Sequence, residues 1–80
     1  MTDLETKIVS RLHRIAGQAR GIENMIRDKK GTPQLVQQLE AMRQATNQII
    51  SLLIEDSFCN DDRKITPENL EFLRRFIRQM

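Results

Sequence analysis

Apolar residues in the first third of this chain recur at alternating steps of four and three positions. The set comprises Ile8, Leu12, Ile15, Ala19, Ile22 and Ile26. This heptad spacing is typical of a helix whose apolar edge packs against another helix. Thr2 followed three positions later by Glu5 matches a capping box, so the helix should begin close to the N-terminus. We therefore predict a first helix over residues 3–29.

A second long helix is predicted over residues 33–59. Gly31 suits the exit from the first helix, Thr32 is a good N-cap, and Pro33 is the proline expected at a first helical position. Apolar residues cover most of the circumference between positions 49 and 54, which is more than one partner helix can bury. This end of the helix is therefore expected at a subunit interface.

A third, shorter helix is predicted over residues 67–79. Thr66 and Pro67 repeat the cap-and-proline signal after a polar run at positions 60–64. No segment alternates polar and apolar residues as a half-buried strand would. The sequence therefore predicts an all-α fold, organised as a single domain over residues 1–80.

The length and composition limit the classes of protein that fit. A chain of 80 residues buries only about 60 to 65% of its unfolded surface, so oligomerisation is expected to add burial. No signal peptide and no apolar run of about 20 residues is present, so we expect a cytoplasmic protein that does not enter a membrane. The single Cys59 cannot form an internal disulfide, which agrees with a reducing compartment. We see no nucleophile and base pair, phosphate loop or metal triad, so neither an enzyme nor a cofactor is expected.

Positive charge is concentrated near the N-terminus. Residues 1–30 hold seven basic and four acidic residues, although the whole chain carries a net charge of only +2. At roughly 100° per residue, a stripe beside the apolar edge is formed by Lys7, Arg11, Arg14 and Gln18. Several copies with these stripes on one face would attract a polyanion, whereas a single stripe is equally explained as a solvated surface.

Arg20 projects to the other flank of the first helix and does not extend this stripe. Gly17 and Gly21 each cost about 1 kcal/mol relative to alanine within a helix. Their presence indicates that something approaches the backbone closely, and another helix is the expected neighbour.

The segment from Arg11 to Gly21 resembles a known signature. It reads Arg-Leu-His-Arg-Ile-Ala-Gly-Gln-Ala-Arg-Gly and is similar to the Arg-hydrophobic-x-Arg-Ile-x-Gly-Gln-x-x-Gly motif of the CsoR/RcnR family of bacterial transcriptional repressors. The segment from Gln38 to Arg43 is close to a second family motif, and Asn47 also fits. With the three-helix layout, the resemblance extends over essentially the whole chain.

The resemblance implies a specific assembly. Two long helices from each protomer would pair into an antiparallel four-helix-bundle homodimer, and two dimers would form a disc-shaped homotetramer. Double-stranded operator DNA would bind to basic residues on the flat tetramer face. The implied DNA-binding residues are Arg11 and Arg14, followed by Lys7, Gln18, Arg43 and His13. The alternative for the arginines is pairing with acids of a neighbouring protomer.

The chain departs from the family at the positions that hold metal. The resemblance places the family's Cys, His and Cys ligands at Thr32, Ser57 and Asp61, none of which provides a thiolate or imidazole. Two outer positions that commonly couple metal binding to DNA release correspond to Gly31 and Phe72. Copper(I) needs soft ligands, so we predict that the usual metal site is absent and that Thr32 serves as a helix cap.

Two other features have both a sensor and a structural interpretation. Cys59 is a candidate thiol sensor, but acidic neighbours disfavour a thiolate, and a packed, inert cysteine is the alternative. A hard cation would suit the acidic group Glu55, Asp56, Asp61 and Asp62, which a solvated helix end also explains.

Two hypotheses of function follow. The first is a DNA-binding repressor of the CsoR/RcnR type whose inducer is not a metal at the usual site. The second is a small oligomeric helical module that uses the same scaffold to bind a protein partner and does not bind DNA.

Overall fold

A computed structural model of the chain describes residues 1–57 and 64–79. These residues form three helices, α1 (Asp3–Arg27), α2 (Thr32–Ser57) and α3 (Pro67–Gln79), and they contain no strand. The all-α class is confirmed. The chain divides into two compact units, unit 1 (Met1–Ile49) and unit 2 (Ile50–Met80), and α2 contributes to both.

The N-terminus of α1 has the capping box that the sequence predicts. The Thr2 Oγ1 atom accepts a hydrogen bond from the Glu5 backbone N–H at 3.1 Å, and the Thr2 backbone N–H donates to Glu5 Oε1 at 2.9 Å. Two N–H groups that a helix start leaves without a partner are thereby satisfied. Local sequence alone fixes this end of α1.

The C-terminus of α1 differs from the prediction. The helix ends at Arg27 and not at residue 29, and the residue in the left-handed conformation is Lys29, with φ of 60°. The Lys29 N–H donates to the Ile26 carbonyl at 3.1 Å and the Lys30 N–H to the Met25 carbonyl at 3.0 Å. This is the hydrogen-bond pattern of a Schellman motif, with lysine where glycine is usual. The expectation that Gly31 forms this exit is wrong.

Gly31 instead caps the start of α2. Its carbonyl accepts from the Leu35 N–H at 3.2 Å, and its N–H donates to Gln34 Oε1 at 3.1 Å. Thr32 is therefore the first helical residue, and the prediction that it is the N-cap is wrong. The glutamine side chain three positions after Gly31 provides one half of a capping box without a hydroxyl at the cap. The described part of α2 ends at Ser57, and its predicted end at residue 59 lies outside the described residues.

Unit 1 is an antiparallel hairpin of α1 and residues 32–49 of α2. Its core consists of Ile8, Ile22 and Ile49, which are all buried. Much of the apolar seam remains exposed within the single chain, as shown by Leu12, Ile26, Val36 and Leu39. Contiguous exposed apolar surface is typical of an association face.

Unit 2 contains residues 50–57 of α2 together with α3. The rings of Phe72 and Phe76 are in an edge-to-face arrangement with centroids 4.9 Å apart. Ser57 is buried, and Leu73 is half-buried. All of the buried apolar side chains among the described residues lie in unit 1, so the packing of unit 2 is looser than that of the isoleucine core of unit 1.

Candidate nucleic-acid interface and sensor positions

One face of α1 holds the residues that we call the α1 stripe, namely Lys7, Arg11, Arg14 and Gln18. Steps of four, three and four residues keep these side chains within roughly 60° of one another around the helix. The stripe extends about 16 Å along the helix axis. It therefore offers three positive charges in a row, over a length comparable to several phosphates of a nucleic acid backbone.

Arg11 is positioned by a contact between the two helices of unit 1. Its Nη1 atom donates to Gln48 Oε1 at 2.7 Å, and its side chain is half-buried. A guanidinium has five N–H donors in a rigid plane, so this bond leaves others for an anion. Gln48 is not predictable from the sequence, because a pair separated by 37 residues depends on the register of the hairpin and leaves no local signal.

Lys7 and Arg14 are exposed and form no hydrogen bond or ion pair with any residue in the described ranges. Their charges are therefore not neutralised within this part of the chain. Gln18 is half-buried, and its Oε1 atom is buried without a hydrogen-bond partner among the described residues. An unsatisfied buried acceptor of this kind costs about 1 to 3 kcal/mol.

Arg43 lies apart from the α1 stripe. It is turned roughly 140° around α2 from Gln48, the residue that contacts Arg11. Its guanidinium forms two hydrogen bonds with Glu40, one of them from Nε at 3.0 Å. This pairing lowers the pKa of Glu40, and it raises the pKa of Arg43 above its ordinary value. Arg43 is thus engaged within its own helix, and its DNA contact stays a prediction.

His13 and the two helical glycines lie on other parts of the α1 surface. His13 is exposed and lies roughly 130° around the helix from the middle of the stripe, so its place in the interface also stays a prediction. Gly17 and Gly21 border the stripe beside Arg14. A Cβ atom added at either glycine would meet nothing within 4 Å. The close neighbour expected from the sequence is therefore not provided by the described chain.

The positions that the resemblance links to metal have other environments here. Thr32 is exposed at the start of α2, while Ser57 is only 7% exposed and its hydroxyl donates to the Ile54 carbonyl at 2.5 Å. Two hydroxyls are hard, neutral donors and do not fit copper(I), nickel or cobalt. Asp61 and the candidate thiol Cys59 lie outside the described residues.

The outer positions also lack metal-coupling chemistry. Gly31 caps α2, and Phe72 is an exposed apolar ring. Over residues 1–57 and 64–79, no three His, Cys, Asp or Glu side chains are grouped as a metal site requires. Of the acidic group proposed from the sequence, Glu55 and Asp56 lie in this range and the other two members do not. The absence of the usual metal site stays a prediction.

None of the helices described is both long enough and apolar enough to cross a membrane.

A family model described as "metal-sensitive transcriptional repressor" matches residues 5–77. No curated protein and no solved structure matches the chain significantly. Transcriptional regulators of this kind are not a class of enzyme. The match extends over all three helices and includes the whole α1 stripe. The chain therefore belongs to the metal-sensitive transcriptional repressors, the CsoR/RcnR family that its motifs resemble.

Proposed function

We propose that this protein is a cytoplasmic repressor that binds double-stranded operator DNA through the α1 stripe, and that no metal at the usual positions controls it. The strongest support is that the stripe combines one cation ordered by a hydrogen bond with two exposed cations. Arg11 is held by Gln48, while Lys7 and Arg14 on the same face are exposed and have no partner in the described chain. Because this hydrogen bond already restricts the arginine side chain, less conformational entropy is lost when the side chain binds a phosphate.

The charge on one protomer is too small for tight binding. Three cations neutralise at most three phosphates. A DNA-binding protein that makes six to ten phosphate contacts uses about two to three times as many cations. We therefore propose a homodimer and a homotetramer that bring several stripes onto one surface. The exposed side chains of Leu12, Ile26 and Leu39 support this association, since a second copy would remove them from water.

Donor chemistry supports the absence of a usual metal site. Ser57 directs its hydroxyl proton at the Ile54 carbonyl and is deeply buried, so its side chain is poorly suited to bind a metal. Thr32 offers only a neutral hydroxyl. Release from DNA on addition of one equivalent of copper(I), nickel or cobalt would contradict this part of the proposal.

The test is a DNA titration of charge-reversed variants. Arg11→Glu combined with Arg14→Glu should weaken binding to the promoter of the protein's own gene by about two orders of magnitude, because attraction becomes repulsion at each copy. The matched control is Arg20→Glu combined with Arg27→Glu, which changes charge equally on the same helix but outside the stripe. Sedimentation should show the same oligomer for both. Equal losses in the two variants would contradict the assignment of the stripe, and no salt-dependent DNA affinity in the native protein would favour the protein-interaction module.

A further inference from the structure

Unit 2 contains a cavity of about 340 Å³. Residues of α2 at steps of three, one and three form one wall, namely Ile50, Leu53, Ile54 and Ser57. The facing wall consists of Phe72, Leu73 and Phe76 of α3, with Ile65 at one end. This volume lies within the range of about 300 to 1,000 Å³ that is typical of small-molecule sites.

The chemistry of the walls restricts the occupant. Among the described residues that line the cavity, seven are apolar and Ser57 is the only polar one. A charged molecule would lose its hydration here without a counter-charge from any of these residues, which is strongly unfavourable. The occupant that fits is an uncharged molecule with a mainly apolar surface.

Ser57 specifies the kind of polar group that the molecule needs. Its hydroxyl proton is used in the bond to the Ile54 carbonyl, so the oxygen can only accept further hydrogen bonds. The residue is 7% exposed, so this acceptor faces little competition from water. A ligand with one N–H or O–H donor therefore matches the wall better than a ligand with an acceptor.

Two aromatic rings add shape selectivity. Phe72 and Phe76 are edge to face, with 60° between their planes, and both remain substantially exposed in the single chain. A planar ring at the cavity would gain a stacking or edge contact with them, beyond the area that it buries. Ile50, Leu53 and Ile54 also lie in the segment for which the sequence predicts a subunit interface, so closure of the cavity by a second copy is one outcome of the test below.

We infer that this cavity binds an uncharged aromatic molecule of one or two rings with a single N–H or O–H donor, and that this molecule is the inducer. The second clause rests on the proposed function, whereas binding itself does not. The Ser57 hydroxyl oxygen accepts a hydrogen bond from the ligand's donor group, and the apolar walls disfavour charged analogues.

The experiment uses indole as the probe, with the full chain and no DNA. Methyl-labelled protein should show saturable shifts at Ile50, Leu53, Ile54 and Leu73. The analogue 1-methylindole, which lacks the donor, should bind about fivefold more weakly, and Ser57→Ala should reduce the affinity for indole to that of the analogue. Leu53→Phe should abolish binding by filling the cavity.

Gln37→Phe is the matched control, because it adds a ring at an exposed position of the same helix in unit 1, outside the apolar seam. It should leave indole binding unchanged, and circular dichroism should show the native helix content for all three variants. Absence of saturable shifts, shifts scattered over the exposed apolar residues of unit 1, or equal effects of Leu53→Phe and Gln37→Phe would overturn the site. A cavity that is closed by a second copy would give no saturable shifts, which is the first of these outcomes.

A second arm separates the site from the proposed function. Indole at saturating concentration should weaken promoter binding at least tenfold, and Leu53→Phe should remove this response. Binding of indole with unchanged DNA affinity would overturn the inducer assignment. A native protein that binds indole but has no affinity for DNA would instead contradict the proposed function and leave the binding site supported.

Discussion

Unit 1 and unit 2 differ in how their residues are held and in what they offer to another molecule. Unit 1 has buried isoleucines, three defined helix ends and a row of cations on α1. Unit 2 has no buried apolar side chain among its described residues, and it packs around an apolar cavity. The two proposed sites, the surface for DNA and the cavity, therefore belong to separately packed parts of one short chain.

The largest expected effect concerns the cores of the two units. Ile22→Ala in unit 1 should lower the free energy of unfolding by about 2 to 5 kcal/mol, because it removes a buried side chain and leaves a cavity. Leu73→Ala in unit 2 should cost about 1 kcal/mol, since that side chain is half-buried beside space that already exists. Chemical denaturation measures both. Equal losses of stability in the two variants would contradict the looser packing of unit 2.

A smaller effect is expected at the turn of unit 1. Lys29→Gly should raise the free energy of unfolding by about 1 kcal/mol, because glycine adopts the left-handed conformation without the clash that a Cβ atom brings. Lys30→Gly, one position along, is the control and should give no such gain. Thermal unfolding measured with both variants checks this, and a loss of stability in Lys29→Gly would contradict the described turn.

The smallest effect concerns the cation that lies outside the stripe. Glu40→Gln should release Arg43 and remove a negative charge, strengthening DNA binding by up to about fivefold, since ion pairs between exposed side chains are weak. The pKa of Glu40 is lowered by its hydrogen bonds with Arg43, so the pair's stabilisation is present above the ordinary value of 4.5 and is lost as pH falls through the lowered pKa. Fluorescence anisotropy with labelled promoter DNA measures the affinity. No change, or weaker binding, would exclude Arg43 from the interface.

The sequence predicts those features that depend on near neighbours. The capping box of Thr2 and Glu5 needs only three positions of spacing, and the apolar spacing together with the cap-and-proline signals predicts the three helices. Prediction from the sequence fails where a general residue preference competes with the position at which the helix ends. Gly31 has the preferred residue type for a helix exit, but α1 ends two residues too early to use it, so Lys29 takes that conformation.

Features that depend on distant parts of the chain are not predictable in this way. The bond between Arg11 and Gln48 depends on how α1 and α2 align over their length. The cavity depends on how Phe72 and Phe76 face Leu53, and neither residue type alone indicates empty space. The stripe was predictable because it lies on one helix, whereas the residue that orders it was not.

The central claim is that cations of the α1 stripe neutralise DNA phosphates, and the salt dependence of DNA affinity tests it most directly. The slope of log K against log salt concentration should become shallower by about 0.9 for each copy of Arg14 that contacts a phosphate when Arg14→Gln is compared with the native protein. Arg20→Gln, with the same loss of charge on the same helix, should keep the native slope. Identical slopes for the native protein and Arg14→Gln would contradict the claim.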